Sequence, residues 1–264
     1  PLFEDIMEVP NNYNLCVQLH HKLVERLNKG GYLAKFDEEF QGAVERGVFV
    51  VMDEEDRKYE GMINYIPMVE ALKENIDATT PIRVCMNSSM KYDGFCLNDA
   101  MCKGPSALSD QYELLLRFRC HKIGLVLDIW KFYNTIESDL RDQHLRRVLW
   151  SPIIGGKPVE HLTATVNFGD KAAGCVVITA LRKTAGMFSE INPVASKMLR
   201  DDTYVDDVIT GVNSKEDGVV IDKDIREIGD KGGFKFKPAV MSGDDVKPQA
   251  VLGIEWDPKN DNLS

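Results

Sequence analysis

The chain has 264 residues, 44% of them apolar and 28% charged, an ordinary globular composition that argues against disorder. Its 32 Lys and Arg stand against 42 Asp and Glu, a formal net charge of −10. A surface that clamps phosphates everywhere is excluded by that balance, although a single cleft is not. No run approaches eighteen apolar residues, and Pro1 to Asp5 lack both a basic start and an apolar stretch, so neither a membrane span nor a signal peptide is expected. They also lack an initiator Met, as in a chain cut from a longer one. Six cysteines (Cys16, Cys85, Cys96, Cys102, Cys120, Cys175) are scattered without a CxxC pair, and the five histidines form no HExxH. That pattern points to reduced, intracellular thiols and away from a disulfide framework or a zinc site.

No internal repeat or low-complexity segment is present. Leu15, Leu19, Leu23 and Leu27 recur every four residues and predict a helix over 13–29, stopped by Gly30 and Gly31. A second helix is expected over 36–46. Gly47 then breaks it before Val48 to Val51, a β-branched run that reads as a strand followed by an acidic turn at 53–56. Residues 82–86 read as a strand, 106–118 as a helix and 123–129 as an apolar strand interrupted by Asp128. Leu140, His144, Leu145, Val148 and Leu149 suit a helix over 136–150, and another is expected over 172–188. Residues 203–212 read as strand, tight turn and strand, with Asp206 and Asp207 at the turn. A helix over 216–228 and a strand or hairpin over 251–256 complete the order. Strands that return after helical crossovers predict an α+β fold, a ferredoxin-like antiparallel sheet with helices on one face.

Two pieces carry chemistry. Tyr204-Val205-Asp206-Asp207 places two carboxylates between aromatic and β-branched residues. An Asp-Asp pair alone is most often a solvated turn, and the same dipeptide recurs at 201–202 and 244–245. Half-buried between strands, however, two carboxylates raise one another's pKa, and a divalent cation relieves them. Asp128 is the second piece. Alone it suits a strand end or a helix cap; with Asp206 and Asp207 on adjacent strands it makes a three-carboxylate site. Such a set suits two Mg²⁺, with Mn²⁺ as an alternative. Two metals of that kind activate an attacking hydroxyl and stabilise a departing pyrophosphate, which points to phosphoryl or nucleotidyl transfer.

From about Pro10 to Pro258 the sequence resembles the reverse transcriptase segment of BEL/Pao-type LTR retrotransposon polyproteins. Tyr204-Val205-Asp206-Asp207 matches the family's YVDD hairpin. Leu127-Asp128-Ile129, with Lys131 and Tyr133, matches its first catalytic strand. Leu97-Asn98-Asp99, Lys103-Gly104-Pro105 and Leu115 to Arg119 match the stretch before that strand. Val166-Asn167-Phe168-Gly169 resembles the template-and-nucleotide motif. Gly232-Gly233-Phe234 and Val251 to Trp256 resemble the later palm motifs, the last being the primer grip.

The resemblance implies a right-hand polymerase fold. Residues 1–100 would form fingers with a helical lead-in, 101–135 palm, 136–172 fingers again, 173–250 palm with the YVDD hairpin, and 251–264 the primer grip and the start of a thumb. It implies that Asp128, Asp206 and Asp207 are catalytic and hold the metals. Tyr133 would be a steric gate against the ribose 2′-OH, although a core tyrosine is the plain alternative. Arg83 would contact the incoming triphosphate, Phe168 and Gly169 would let template and nucleotide approach, and Lys237 would protonate pyrophosphate. For each of these a bland reading stands beside the functional one: a surface strand arginine, a turn glycine, an exposed lysine. Leu252, Gly253 and Trp256 would grip the primer.

The implied partners are an RNA or DNA template with its primer, deoxynucleoside triphosphates, and the RNase H and other polyprotein segments that this sequence lacks. No membrane is among them, and the implied location is the cytoplasm or a retroelement particle within it. Arg117, Arg119, Lys122, Arg146 and Arg147 are the expected basic contacts, weak and steeply salt-dependent. Five positions depart from the family pattern: Pro81 and Pro238 where it has basic residues, Asn87 where Asp is common, Trp130 where an acid is usual, and Gly174 in place of Pro. Two other readings stay open. One is a catalytically weak reverse-transcriptase-like module for nucleic-acid binding or assembly; the other is a different palm-type polymerase or nucleotidyl cyclase.

Overall fold

A computed structural model describes residues 8–72 and 82–264; the reading of Pro1 to Asp5 and the departure at Pro81 lie outside them. The chain folds as two compact units, Pro1–Lys103 with Ile136–Ala173, and Gly104–Thr135 with Gly174–Ser264.

The first unit opens with α1 (Tyr13–Lys29) and α2 (Leu33–Glu45). In α1 the buried stripe is Cys16, His20, Leu23, Val24 and Leu27, rotated slightly from the leucine period, so that Leu15 and Leu19 are only half-buried. Gly47, at a positive φ of 75°, turns the chain into β1 (Phe49–Val51). The expected acidic turn is a one-turn helix, α3 (Glu54–Arg57), because Asp53 accepts from the backbone of Glu55 and Asp56 while Asp56 reaches back to the cap. Next, β2 (Met68–Leu72) and β3 (Ile82–Met86) pair antiparallel.

In the second unit, α4 (Gln111–Arg119) is capped by Asp110 and leads into β4 (Ile123–Trp130) and a 3₁₀ turn over Phe132–Thr135. Back in the first unit, the helix expected over 136–150 is instead α5 (Leu140–His144), followed by β5 (Val148–Trp150) and β6 (Val159–Thr163). Val148, Leu149 and Trp150 are all buried, and tertiary packing overrides their helical spacing. Trp150 lies 4.8 Å from the Phe36 ring and donates its indole N–H to Asp37 at 2.9 Å. The sheet order is β1-β6-β5.

The rest of the second unit comprises α6 (Ala173–Met187), α7 (Pro193–Asp201), β7 (Thr203–Tyr204), β8 (Asp207–Val212), α8 (Lys215–Lys231), β9 (Lys235–Phe236), β10 (Val240–Met241), β11 (Gln249–Val251), β12 (Ile254–Asp257) and β13 (Asn262–Leu263). Its main sheet runs β10-β4-β8-β7, with β9 also on β4, and every pairing in it is antiparallel.

Strand alternation sends Gly124, Val126 and Asp128 to one face of this sheet, joined there by Asp207, Ile209 and Gly211 from β8. Phe118 of α4 packs on this face with Val126, Ile209, Val251 and Trp256. A Cβ on Gly124 would meet the Phe118 ring at 2.7 Å, so the glycine admits that ring. On the other face, Phe236 pairs with Ile129 and abuts Gly229 of α8. Helices therefore flank both faces, and the expectation of helices on one face is corrected. The cause is α4, whose Phe118 closes the carboxylate side. Among the described residues no helix is long and apolar enough to cross a membrane.

A buried polar knot fixes the 166–171 turn of the first unit. Ser88 donates to Asp170 at 2.6 Å, Asn167 donates to both, and Arg146 bonds the other Asp170 oxygen. Arg146 and Asp170 are each 6% exposed. Removing one partner of a buried pair strands the other charge. Asp170→Ala is therefore expected to lower stability by about 3–5 kcal/mol, measured by urea unfolding.

Candidate active site

The register of β4 with β8 sets Asp128 directly opposite Asp207. Asp206 precedes it in the β7–β8 turn, where its carbonyl accepts the Ile129 N–H at 2.7 Å. The turn is centred on Val205 and Asp206, and Asp207 already belongs to β8, one residue earlier than the sequence suggests. Val205 has φ 53°, a left-handed conformation that a β-branched residue adopts only under constraint. The cost is on the order of 1–3 kcal/mol, and it holds Asp206 in place beside Asp207.

Three acids at one strand end repel. Burial first, then the charges of Asp206 and Asp128, push the Asp207 carboxyl up to about 7, against a downward pull from Lys237. Lys237 Nζ lies 2.8 Å from Asp128 Oδ2, and the Lys237 backbone N–H also bonds the Asp128 carbonyl at 2.9 Å. Tyr133, half-buried in the 3₁₀ turn, has its phenol pushed up by burial and by the Asp206 charge.

The donor set suits a hard divalent cation in kind and in charge. Even so, among the described residues no group of three or more His, Cys, Asp or Glu side chains is disposed to hold a metal ion as it stands. The Lys237 ammonium is held at this strand end, on Asp128.

Of the grip residues, Leu252 (φ 52°) and Gly253 (φ 83°) form the tight turn between β11 and β12. Trp256 is fully buried, edge-on to Phe118 at 5.2 Å, with its indole N–H donated to Asp261 at 3.0 Å. This corrects its assignment as a primer contact: it anchors the hairpin on the carboxylate face and has no surface to offer a ligand. Arg83, Phe168 and Gly169 belong to the first unit. Arg83 points outward from β3, and Phe168 is 49% exposed. A Cβ on Gly169 would sit 2.5 Å from the Met86 carbonyl oxygen, so close approach to its own backbone at the end of β3 is sufficient reason for that glycine.

Four of the five expected basic contacts are engaged internally. Arg117 binds Asp202 and the Asp201 carbonyl, Arg119 binds Asp261, Arg146 binds Asp170, and Arg147 binds the Asp56 carbonyl. Arg146 and Arg147 are also buried, which excludes them as a phosphate-binding surface. Among the departures, Asn87 caps its own turn by accepting from the Ser89 N–H, and Gly174 has open space where a Cβ would stand. Trp130 and Pro238 are exposed.

Sequence reasoning missed Arg226. Its i,i+4 spacing to Asp222 marks only a helix ion pair, whereas the same guanidinium also binds the Phe236 and Lys237 carbonyls. A cleft of about 670 Å³ in this unit is lined by Arg117, Arg182, Lys197 and Arg200 among others. None of the three carboxylates borders it, so cleft size does not mark the acid cluster.

No family model and no curated protein matches the sequence. Among solved structures the chain is similar to a foamy viral protease-reverse transcriptase in complex with double-stranded DNA, with a TM-score of 0.61 at 12% identity. The match covers 87% of this chain and 35% of that one, so the chain spans about a third of that protein's length. The fold is reverse-transcriptase-like.

The raised Asp207 carboxyl makes stability depend on pH. Its folded value of about 7 exceeds the ordinary 3.8, so between these values the folded state holds a proton that the unfolded chain releases. The stabilisation is full below the ordinary value and is lost as pH rises through about 7. Urea unfolding in chelator is expected to show lower stability at high than at low pH, by about 1–2 kcal/mol from this group after discounting for solvent screening. Asp207→Asn flattens that slope and is the more stable protein at high pH; an unchanged slope would refute the assignment.

Proposed function

We propose that the chain is the catalytic core of an RNA-directed DNA polymerase, a reverse transcriptase of the BEL/Pao-type LTR retroelement kind, which adds deoxynucleotides to a primer 3′-OH. The observation that carries this reading is the register that holds Asp128 opposite Asp207 with Asp206 on the adjoining turn. The reverse transcriptase fold supports it, and the ordered sequence motifs supply the finer family.

Asp128, Asp206 and Asp207 would hold two Mg²⁺, or Mn²⁺. When bound, such ions lower the pKa of the attacking hydroxyl and neutralise charge on the departing pyrophosphate. The chain's own residues do the rest. The rigid sheet fixes where the reacting groups meet, and positioning of this sort supplies much of the rate. Tyr133, whose phenol feels the Asp206 charge, would exclude a ribose 2′-OH. The Leu252-Gly253 turn offers backbone to a primer strand, braced from beneath by Trp256. Lys237 holds an ammonium at Asp128, where it can donate a proton to leaving phosphate. Arg83, on the first unit, has a guanidinium suited to triphosphate oxygens. By the same reading residues 1–100 and 136–172 are fingers, and 101–135 and 173–250 are palm.

A second reading is a nucleic-acid-binding or assembly module with little catalysis. The internal engagement of Arg117, Arg119, Arg146 and Arg147 and the net charge of −10 favour it.

Primer extension on poly(rA)/oligo(dT) with Mg²⁺ or Mn²⁺ separates the two. The polymerase reading predicts dTMP incorporation that falls more than about 100-fold in Asp206→Asn. Tight template–primer binding without extension supports the module, and absence of both overturns both. Tyr133→Val is expected to raise ribonucleotide use relative to deoxynucleotide use by roughly 10–100-fold, read as the ratio of the two kcat/KM values.

A further inference from the structure

We propose that Lys237 is a built-in counter-cation of the acid cluster, occupying Asp128 until a divalent ion displaces it, and that Arg226 is the positioning residue that keeps it there. This rests on the three-carboxylate site described above and adds a competitor inside the chain itself.

Lys237 is bound twice to one residue. Its ammonium lies 2.8 Å from Asp128 Oδ2, and its backbone N–H bonds the Asp128 carbonyl at 2.9 Å. The second contact continues the β9 pairing, in which Ile129 faces Phe236 and Trp130 faces Lys235. The ammonium is thus carried to the carboxylate by a strand in register.

The same segment is held from the opposite side by α8. Arg226 donates to the Phe236 carbonyl at 2.9 Å and to the Lys237 carbonyl at 2.7 Å, and its Nε–H binds Asp222 at 2.8 Å. One planar guanidinium bonded to two consecutive carbonyls fixes the orientation of the peptide between them, and with it the direction in which the Lys237 side chain leaves the backbone. Asp222 in turn holds the guanidinium.

The pair is placed for exchange. The Lys237 side chain is 54% exposed and that of Asp128 35%, so the contact is an ion pair at the water boundary, of the kind that contributes little net free energy. A divalent ion that gathered several carboxylate oxygens there would displace a single lysine. An ammonium held on Asp128 competes with a divalent ion for that carboxylate.

Mn²⁺ binding to the full chain without nucleic acid, followed by the electron paramagnetic resonance signal of free Mn²⁺, tests this. Lys237→Met and Lys237→Gln are expected to bind Mn²⁺ roughly two- to fivefold more tightly than the unaltered chain, the range set by exposed ion pairs. Arg226→Ala is expected to tighten binding on its own but to add nothing on top of Lys237→Met, since both act through one contact. Circular dichroism establishes that each variant is folded. Unchanged or weaker Mn²⁺ binding in both folded Lys237 variants overturns the proposal. If Asp206→Asn abolishes Mn²⁺ binding while the Lys237 variants behave like the unaltered chain, the site reading stands and this one alone falls. Absence of Mn²⁺ binding in every protein overturns both.

Discussion

The pairing of β4 with β8 runs unbroken from Ile123↔Val212 to Asp128↔Asp207, and the acidic end of the second unit depends on it. A slip of one residue would carry every side chain to the opposite face. Asp128 would then point among the apolar partners of α8, and Leu127 would take its place. Burial prevents the slip. Leu125, Leu127, Ile129, Val208 and Ile209 are at most 1% exposed, and each contributes about 1.5–3 kcal/mol when buried. Repulsion among three half-exposed carboxylates is worth only a few kcal/mol at the dielectric of such a site. The hydrophobic strands win, and like charges stay together that would separate if the backbone were free.

Two strained turns serve the same end. Val205 and Leu252 both adopt a left-handed conformation where glycine would be easier. One carries Asp206; the other tips the hairpin that Trp256 fastens over Val126 and Ile209. Each turn is flanked by buried side chains, Thr203 and Val208 at one and Val251 and Trp256 at the other, which is what allows the strain to persist. The carboxylates and the hairpin thus share one face of one sheet, and Phe118 and Trp256 set how the hairpin lies on it.

Much of this was legible in the residues. The strands at 82–86 and 123–130 and the turn at 203–212 are bounded by local signals: β-branched runs, glycine, and acids in sequence positions that a core rejects. The α1 boundaries follow from its leucine period and the paired glycines. What stayed hidden depends on distant partners. Val148 to Trp150 carries a helical spacing, and only the aromatic pocket of Phe36 and Phe40 makes it a strand. Arg146 and Arg147 look like a basic patch until Asp170 and the Asp56 carbonyl are seen to hold them. Trp256 looks available until Phe118 covers it. The contact between Lys237 and Asp128 joins residues 109 positions apart, a separation that no local pattern reports.

The division of the chain carries a consequence for its synthesis. The polypeptide passes between units at 103/104, 135/136 and 173/174, so neither unit is a continuous stretch. Strand β1 finds its partner only when β6 emerges more than a hundred residues later, and β4 waits for β8. Domains that fold as they leave the ribosome normally do so one after another from the N-terminus. Here β1 lacks its strand partner until β6 is made, whereas α1 and α2 already have each other, β2 and β3 to pack against. Long-range pairing of this kind folds slowly and leaves strand edges open to other chains in the meantime. Because the chain crosses between the units three times, each unit is completed only after part of the other has been made.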